Sequence, residues 1–188
     1  FIEKVSVNFE YVDFGGGMGI DYTSNKKTFD FKKLALEINK FSKRNECKII
    51  LEPGRSIIGD TAVLISKVIY IKENQNKDFI ILDAGMNDLI RPALYNAKHM
   101  IIPANKSSKK SKKEYDFVGP ICETSDRFLK MKKFQKLNEG EIVILKDVGA
   151  YGYVLSSNYN VRPMPKEVLV DKSKTQVISK RQSVKDLI

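Results

Sequence analysis

Two hydrophobic rhythms divide the chain. In the first, Phe31, Leu34, Ala35, Ile38 and Phe41 recur at helical spacing within TFDFKKLALEINKFSKR, which predicts a helix capped by Thr28 or Asp30. Short apolar runs flank it, residues 11–14 before and 48–51 after. A strand-helix-strand unit with parallel strands is therefore predicted. Both strands run into polar, glycine-bearing stretches, DFGGGMGI and EPGR, at their C-terminal ends, where α/β barrels and open α/β sheets keep their active sites. Beyond about Gly59 the rhythm changes. AVLISKVIYIKE, KDFIILDAG, HMIIPA, EYDFVGPI, EIVILKDVGAYG and KEVLV are β-rich runs separated by turns such as ENQNK and NEGE. They predict an antiparallel β-domain, with one short helix in RQSVKDLI at its end. Two parallel strands cannot make a stable sheet with both faces covered. Either a partner completes the first unit or its front part lies elsewhere.

Composition narrows the class. At 188 residues and 42% hydrophobic, the chain can bury a real core, as one medium domain or one domain plus part of another. Two cysteines, Cys47 and Cys122, exclude a disulfide framework and point to a reducing compartment. No apolar run approaches membrane-spanning length, and Phe1 does not open a signal peptide. A cytoplasmic location without a membrane partner is expected. The net charge of +10 raises the question of a nucleic-acid partner. The only dense basic run, NKSSKKSKK at residues 105–113, lacks interleaved aromatics and reads as an exposed loop, so none is expected.

Four stretches carry candidate chemistry. GGGMGI places Gly15 and Gly17 as a dinucleotide fingerprint requires, but Ile20 stands where its last glycine belongs, which excludes that reading. Gly15, Gly16 and Gly17 then form either a phosphate cradle or a permissive tight turn. EPGRSI sets Glu52, Gly54 and Arg55 on one turn at a strand end, as an anion or cofactor site or as a surface ion pair. DAGMNDLIRPALYNA carries Asp88, Arg91 and Tyr95 in a loop between strands, and arginine can grip a carboxylate through two parallel hydrogen bonds. VGPICETSD sets Cys122 beside Glu123 after a Gly-Pro turn, a pairing that suits neither apolar packing nor a metal site. His99 stands alone, without metal-ligand spacing, and reads as structural. Cys47 reads as inert packing ahead of a buried strand.

Taken in order, DFGGGMGIDY, EPGRSI, DAGMNDLIRPALY, VGPICETSD, DVGAYGYVLSSNYNVRPMPKEVLV and KRQSVKDLI resemble the diaminopimelate decarboxylases over essentially the whole chain. These are decarboxylases of the alanine racemase-like fold that use pyridoxal 5'-phosphate. The resemblance implies an α/β barrel followed by a β-domain. Residues 1–58 would be the last βα units of the barrel, and residues 59–188 the C-terminal β-domain. A full barrel takes about 250 residues, so 188 cannot hold both parts. The Schiff-base lysine and the histidine that stacks on the cofactor ring would lie in a part not present, and the chain is expected to be an incomplete, inactive fragment of a longer enzyme.

The implied reaction converts meso-2,6-diaminopimelate to L-lysine and CO2, the last step of lysine biosynthesis. By the same resemblance Gly15, Gly16, Gly17, Gly54 and Tyr151 would hold the phosphate, and Glu52 would face the pyridine nitrogen. Arg55 and Arg91, with Tyr95 beside them, would take the distal carboxylate, and Tyr151 would also border the substrate. Glu123 would accept the distal ammonium. Cys122 would donate the proton, because a neighbouring carboxylate holds the proton on a thiol. In the family this Cys-Glu loop completes the active site of the other subunit of a homodimer. The family pattern reads CESGD where this chain has CETSD. Two rival readings stand beside this one: a sister decarboxylase for ornithine or arginine, and a catalytically inactive partner.

Overall fold

Residues 7–23 and 29–188 are described by the computed structural model, so Phe1 and the Thr28 cap lie outside the described residues. Strand β1 (Tyr11–Asp13) pairs in parallel with β2 (Lys48–Ile50), and helix α1 (Phe31–Asn45) runs between them. Asp30 caps the helix, its carboxylate accepting the Lys33 backbone N–H at 2.9 Å. Glu46 ends it in the left-handed conformation at φ 50°. Phe41 of the apolar stripe meets Phe14 edge to face at 4.9 Å, seating α1 beyond the end of β1. The stripe is only half covered: no residue of α1 is buried.

After the short helix α2 (Arg55–Ile58) come strands β3 (Leu64–Lys72) and β4 (Lys77–Leu82), joined by the ENQNK turn. Helix α3 (Arg91–Tyr95) and strands β5 (Ile101–Pro103), β6 (Glu114–Val118), β7 (Arg127–Met131) and β8 (Ile142–Leu145) follow. They form a six-stranded sheet in the order β5-β8-β3-β4-β6-β7. Strands β9 (Glu167–Asp171) and β10 (Lys174–Ser179) form a separate antiparallel pair.

The β-domain is not purely antiparallel as expected, because its sheet is mixed. β4 and β6 run parallel, with Ile80 opposite Phe117. The chain between them passes through α3 and β5 instead of a hairpin, and that longer path allows the strand to return in the same direction. A short helix also stands where a plain loop was expected. Pro92 in its first turn supplies a preset φ, and Asn96 at φ 50° closes it. The expected terminal helix in RQSVKDLI is only a 3-10 turn, Val184–Leu187, capped reciprocally by Ser183 and Asp186.

The core follows the period of two. On β4, Asp78, Ile80 and Leu82 are buried alternately, and Ile80 and Leu82 share one cluster with Phe117 of β6 and Val143 and Leu145 of β8. Ile80→Val removes one methyl from this fully buried position and is expected to cost about 0.5–1.5 kcal/mol. Urea unfolding of the two proteins checks it, and equal midpoints would contradict the packing described. The parallel pairing of β4 and β6 has a functional result. The loops leaving their C-terminal ends, residues 83–90 and 119–126, exit at the same edge of the sheet.

Candidate active site

The glycine turn is folded directly against the EPGR turn. Gly15 and Gly17 take φ values of 66° and 87°, which favour glycine. The Gly15 N–H donates to Asp13 Oδ1 at 2.7 Å, and the Glu52 N–H donates to the Gly15 carbonyl at 2.9 Å. Gly16 lies so close to the Glu52 carbonyl that no Cβ fits there. All three glycines are therefore required by the turn itself.

Tyr151 completes this cluster from the far side of the sequence. Its segment is pinned by two backbone bonds: the Val148 N–H donates to the Ala62 carbonyl, and the Gly149 N–H to the Gly59 carbonyl, each at 3.0 Å. Tyr151 is held at φ 60°, an uncommon conformation for a residue with a side chain. Its hydroxyl faces Gly54, and its ring lies 5.9 Å from the Arg55 guanidinium. Arg55 Nε is buried without a hydrogen-bond partner among the described residues. A buried unpartnered donor beside a glycine turn and a phenol suits a ligand carrying anionic oxygens. These residues fit pyridoxal phosphate on that ground.

Arg91 sits deeper. It is 5% exposed at the start of α3, and its Nη1 donates to the Tyr22 hydroxyl and to His99 Nε2, each at 3.0 Å. Tyr22 comes from the GIDY end of the glycine segment, so this bond ties α3 to the glycine turn. Tyr95, one turn after Arg91, is 63% exposed. Asp88, in the same stretch as Arg91, is occupied locally: its Oδ2 accepts the Gly85 N–H at 2.8 Å, and burial pushes its carboxyl up. Arg162 braces the loop, with Nε donating to Asn87 Oδ1 at 2.9 Å.

Cys122 and Glu123 belong to a different loop. Both are exposed, in the loop that follows β6. Glu123 Oε1 accepts from the Ser125 N–H and hydroxyl, each at 3.2 Å. Among the described residues, no hydrogen bond joins either side chain to the glycine turn, Glu52, Arg55 or Tyr151. Asp126 organises the loop. It is 3% exposed, and its carboxylate accepts the Met86 N–H and the Ile121 N–H, each at 2.7 Å. Its backbone N–H donates to the Glu123 carbonyl at 3.0 Å, and its own carbonyl accepts from Gly119 at 2.9 Å. Burial raises the Asp126 carboxyl above its ordinary range, against the pull of the two N–H donors. Asp126 thus joins the Cys122 loop to the loop that leads to Arg91.

Sequence reasoning missed the roles of Tyr22, Asp126 and Arg162, and it took His99 as structural. GIDY and CETSD contain the first two, but nothing local marks their partners, which lie 69 and 40 residues away. Cys47 is buried and free, as packing requires, and Cys122 is free and exposed. The basic run at 105–113 is largely exposed, although Lys113 reaches Asp78 at 3.0 Å. Among the described residues no helix is long and apolar enough to cross a membrane.

The comparisons with known proteins agree with this arrangement. Residues 12–149 match the family model described as the pyridoxal-dependent decarboxylase C-terminal sheet domain. The diaminopimelate decarboxylase of Aquifex aeolicus is 44% identical over 94% of this chain and 42% of its own length. That of Archaeoglobus fulgidus is 42% identical over 100% of this chain and 46% of its own. The crystal structure of diaminopimelate decarboxylase from Helicobacter pylori complexed with L-lysine superposes at a TM-score of 0.85, with 41% identity, over 95% of this chain and 43% of that one. The chain therefore spans less than half the length of these relatives. Within that span, the matching sheet domain and the converging glycine, EPGR and GAYG segments establish that this chain belongs to the pyridoxal-dependent decarboxylases.

Proposed function

We propose that the full-length protein is a pyridoxal phosphate-dependent decarboxylase that converts meso-2,6-diaminopimelate to L-lysine and CO2. One observation carries this reading. Gly16, Glu52, Arg55 and Tyr151, from three separate segments, meet at one place and leave Arg55 Nε buried without a partner. The identity to diaminopimelate decarboxylases over the whole chain supports the choice of substrate.

When bound, pyridoxal phosphate supplies an electron sink for the pair left behind as CO2 departs. Gly16, Gly17 and Gly54 would offer backbone N–H groups to its phosphate, Gly15, whose N–H is held by Asp13, would shape the turn, and Tyr151 would add a hydroxyl. Glu52 would hold the pyridine nitrogen and favour its protonated form. Arg55 and Arg91 bind the distal carboxylate of the substrate, with Tyr95 beside them, and Glu123 takes the distal ammonium. Cys122 gives its thiol proton to the carbon that lost CO2. The exposure of Cys122 and Glu123, with no hydrogen bond to the glycine turn among the described residues, supports a two-fold dimer in which this loop completes the partner's active site. Two free thiols suit the reducing cytoplasm.

The test is turnover by the full-length protein, loaded with pyridoxal phosphate, on meso-diaminopimelate, ornithine and arginine in parallel. Lysine and CO2 from the first alone are expected. Preference for ornithine or arginine would overturn the substrate, and no turnover of any of the three would overturn the activity.

A further inference from the structure

Arg91 is a buried cation whose contacts are unusual. Among the described residues its guanidinium makes no ion pair with a carboxylate, and its two hydrogen bonds both leave from Nη1. Nε and Nη2 are therefore uncommitted, and together they form one of the two-donor edges with which arginine grips a carboxylate. Two acceptors hold that edge in place, the Tyr22 hydroxyl and the ring of His99, and His99, which is 1% exposed, is the deeper of them. Its Nδ1 lies 2.9 Å from the Lys146 carbonyl, which can only accept, so Nδ1 carries the ring proton. Nε2 is then a lone pair, and it accepts the Nη1–H of Arg91. A protonated ring would set an N–H against that N–H and break the bond.

The groups around the ring favour the neutral form. Burial lowers its pKa most, the Lys146 carbonyl opposes this, and Arg91 lowers it further while Asp147 raises it. Tyr22 presents its ring edge-on at 5.2 Å. At neutral pH the acceptor is in place, and acid removes it.

We propose that His99 is a positioning residue for substrate binding: by accepting from Nη1 it aims the free Nε–Nη2 edge of Arg91 at the substrate carboxylate, and its protonation releases that aim. This rests on the reading that Arg91 binds the distal carboxylate. The affinity for substrate and for L-lysine, which keeps that carboxylate, then falls on the acid side for a reason outside the reacting groups.

The experiment uses the full-length enzyme loaded with cofactor. KM and kcat for meso-diaminopimelate and the calorimetric Kd for L-lysine are measured from pH 5.5 to 8 in wild type, His99→Leu and His99→Gln. Leucine removes the acceptor and is expected to raise KM and Kd about tenfold at neutral pH, with kcat within about threefold. Glutamine can offer Oε1 to Arg91 but cannot titrate. It is expected to restore most of the affinity and to lack the acid rise seen in wild type. Wild-type KM and Kd in His99→Leu would overturn the proposal, as would a wild-type acid rise in His99→Gln. If the leucine protein does not fold, the glutamine profile decides. Nitrogen-15 spectra of labelled histidine, with His99 assigned by its loss in His99→Gln, give a readout independent of substrate. The Nδ1–H tautomer is expected, and the Nε2–H tautomer would overturn the contact even if the substrate reading itself had failed in the parallel turnover assay.

Discussion

Cys122→Ala in the full-length enzyme is expected to keep the cofactor bound and to lower kcat by about 10²–10⁴-fold, the range for a lost proton donor. The thiol is exposed, so its removal opens no core cavity. The loop around it is held by the Asp126 carboxylate and by backbone bonds from Asp126 and Gly119, none of which involve sulfur. Folding, cofactor content and KM should therefore change little, and the effect should fall on the chemical step. Steady-state kinetics with the cofactor absorbance recorded on the same samples checks this. A variant that turns over at the wild-type rate would remove Cys122 from the mechanism.

Asp126→Asn should act on both stability and turnover. The two carboxylate oxygens each accept a backbone N–H, from Met86 and from Ile121. An amide can present only one acceptor, and its NH2 must then face the other N–H. Leaving that buried donor unpaired costs about 1–3 kcal/mol. The loop carrying Cys122 is then held less firmly to residues 83–90, so a turnover that depends on Cys122, as proposed, should fall by about tenfold as the thiol is misplaced. Gly119 packs against the Asp126 carboxylate with no space for a Cβ, so a repacked alternative is not at hand.

The pH dependence distinguishes this from a simple lost contact. Burial raises the Asp126 carboxyl, so between its ordinary value near 4 and its raised folded value the native state binds more protons than the unfolded chain. Its contribution to stability is fully present below the unfolded value and is lost as pH rises through the folded value. Asparagine lacks this term. The stability gap between wild type and variant should therefore narrow as pH rises through that window, as read by urea unfolding at several pH values. A gap that widens would show that the hydrogen bonds outweigh burial at this carboxylate.

What the sequence disclosed followed the physics of local pattern. The 3.6-residue stripe from Phe31 to Phe41 needed only neighbours within one turn and was legible, whereas the sequence left the cap open between Thr28 and Asp30. The parallel β1–β2 pair was legible too, because a strand-helix-strand order allows little else. The parallel β4–β6 pair was not legible. Alternation on KDFIIL states which residues are buried but not which way the partner strand runs. In RFLKM and KTQVIS charged and polar residues interrupt the apolar runs and hide the strand pattern, yet both pair as strands. At the site, Arg91 could be singled out by its residue type and its setting. Its partners His99 and Tyr22 could not, since a hydrogen bond between distant segments leaves no periodic trace. Ser125, where the family pattern has glycine, is not at positive φ, so its backbone needs no glycine, and its hydroxyl instead holds Glu123.

The strand order has a consequence for synthesis. β3 is an interior strand, flanked by β4 on one side and β8 on the other, with Leu64 paired to Leu145. At a translation rate of about 5–20 residues per second, the roughly 80 residues separating these partners take about 4–16 s to emerge. For much of that interval the β3–β4 hairpin leaves the ribosome with its β3 edge open along Leu64–Lys67, where β8 later pairs, and its β4 edge open until β6 follows. The nascent chain is therefore most vulnerable to aggregation and to chaperone capture in the seconds before Ile142–Leu145 arrives to close the sheet.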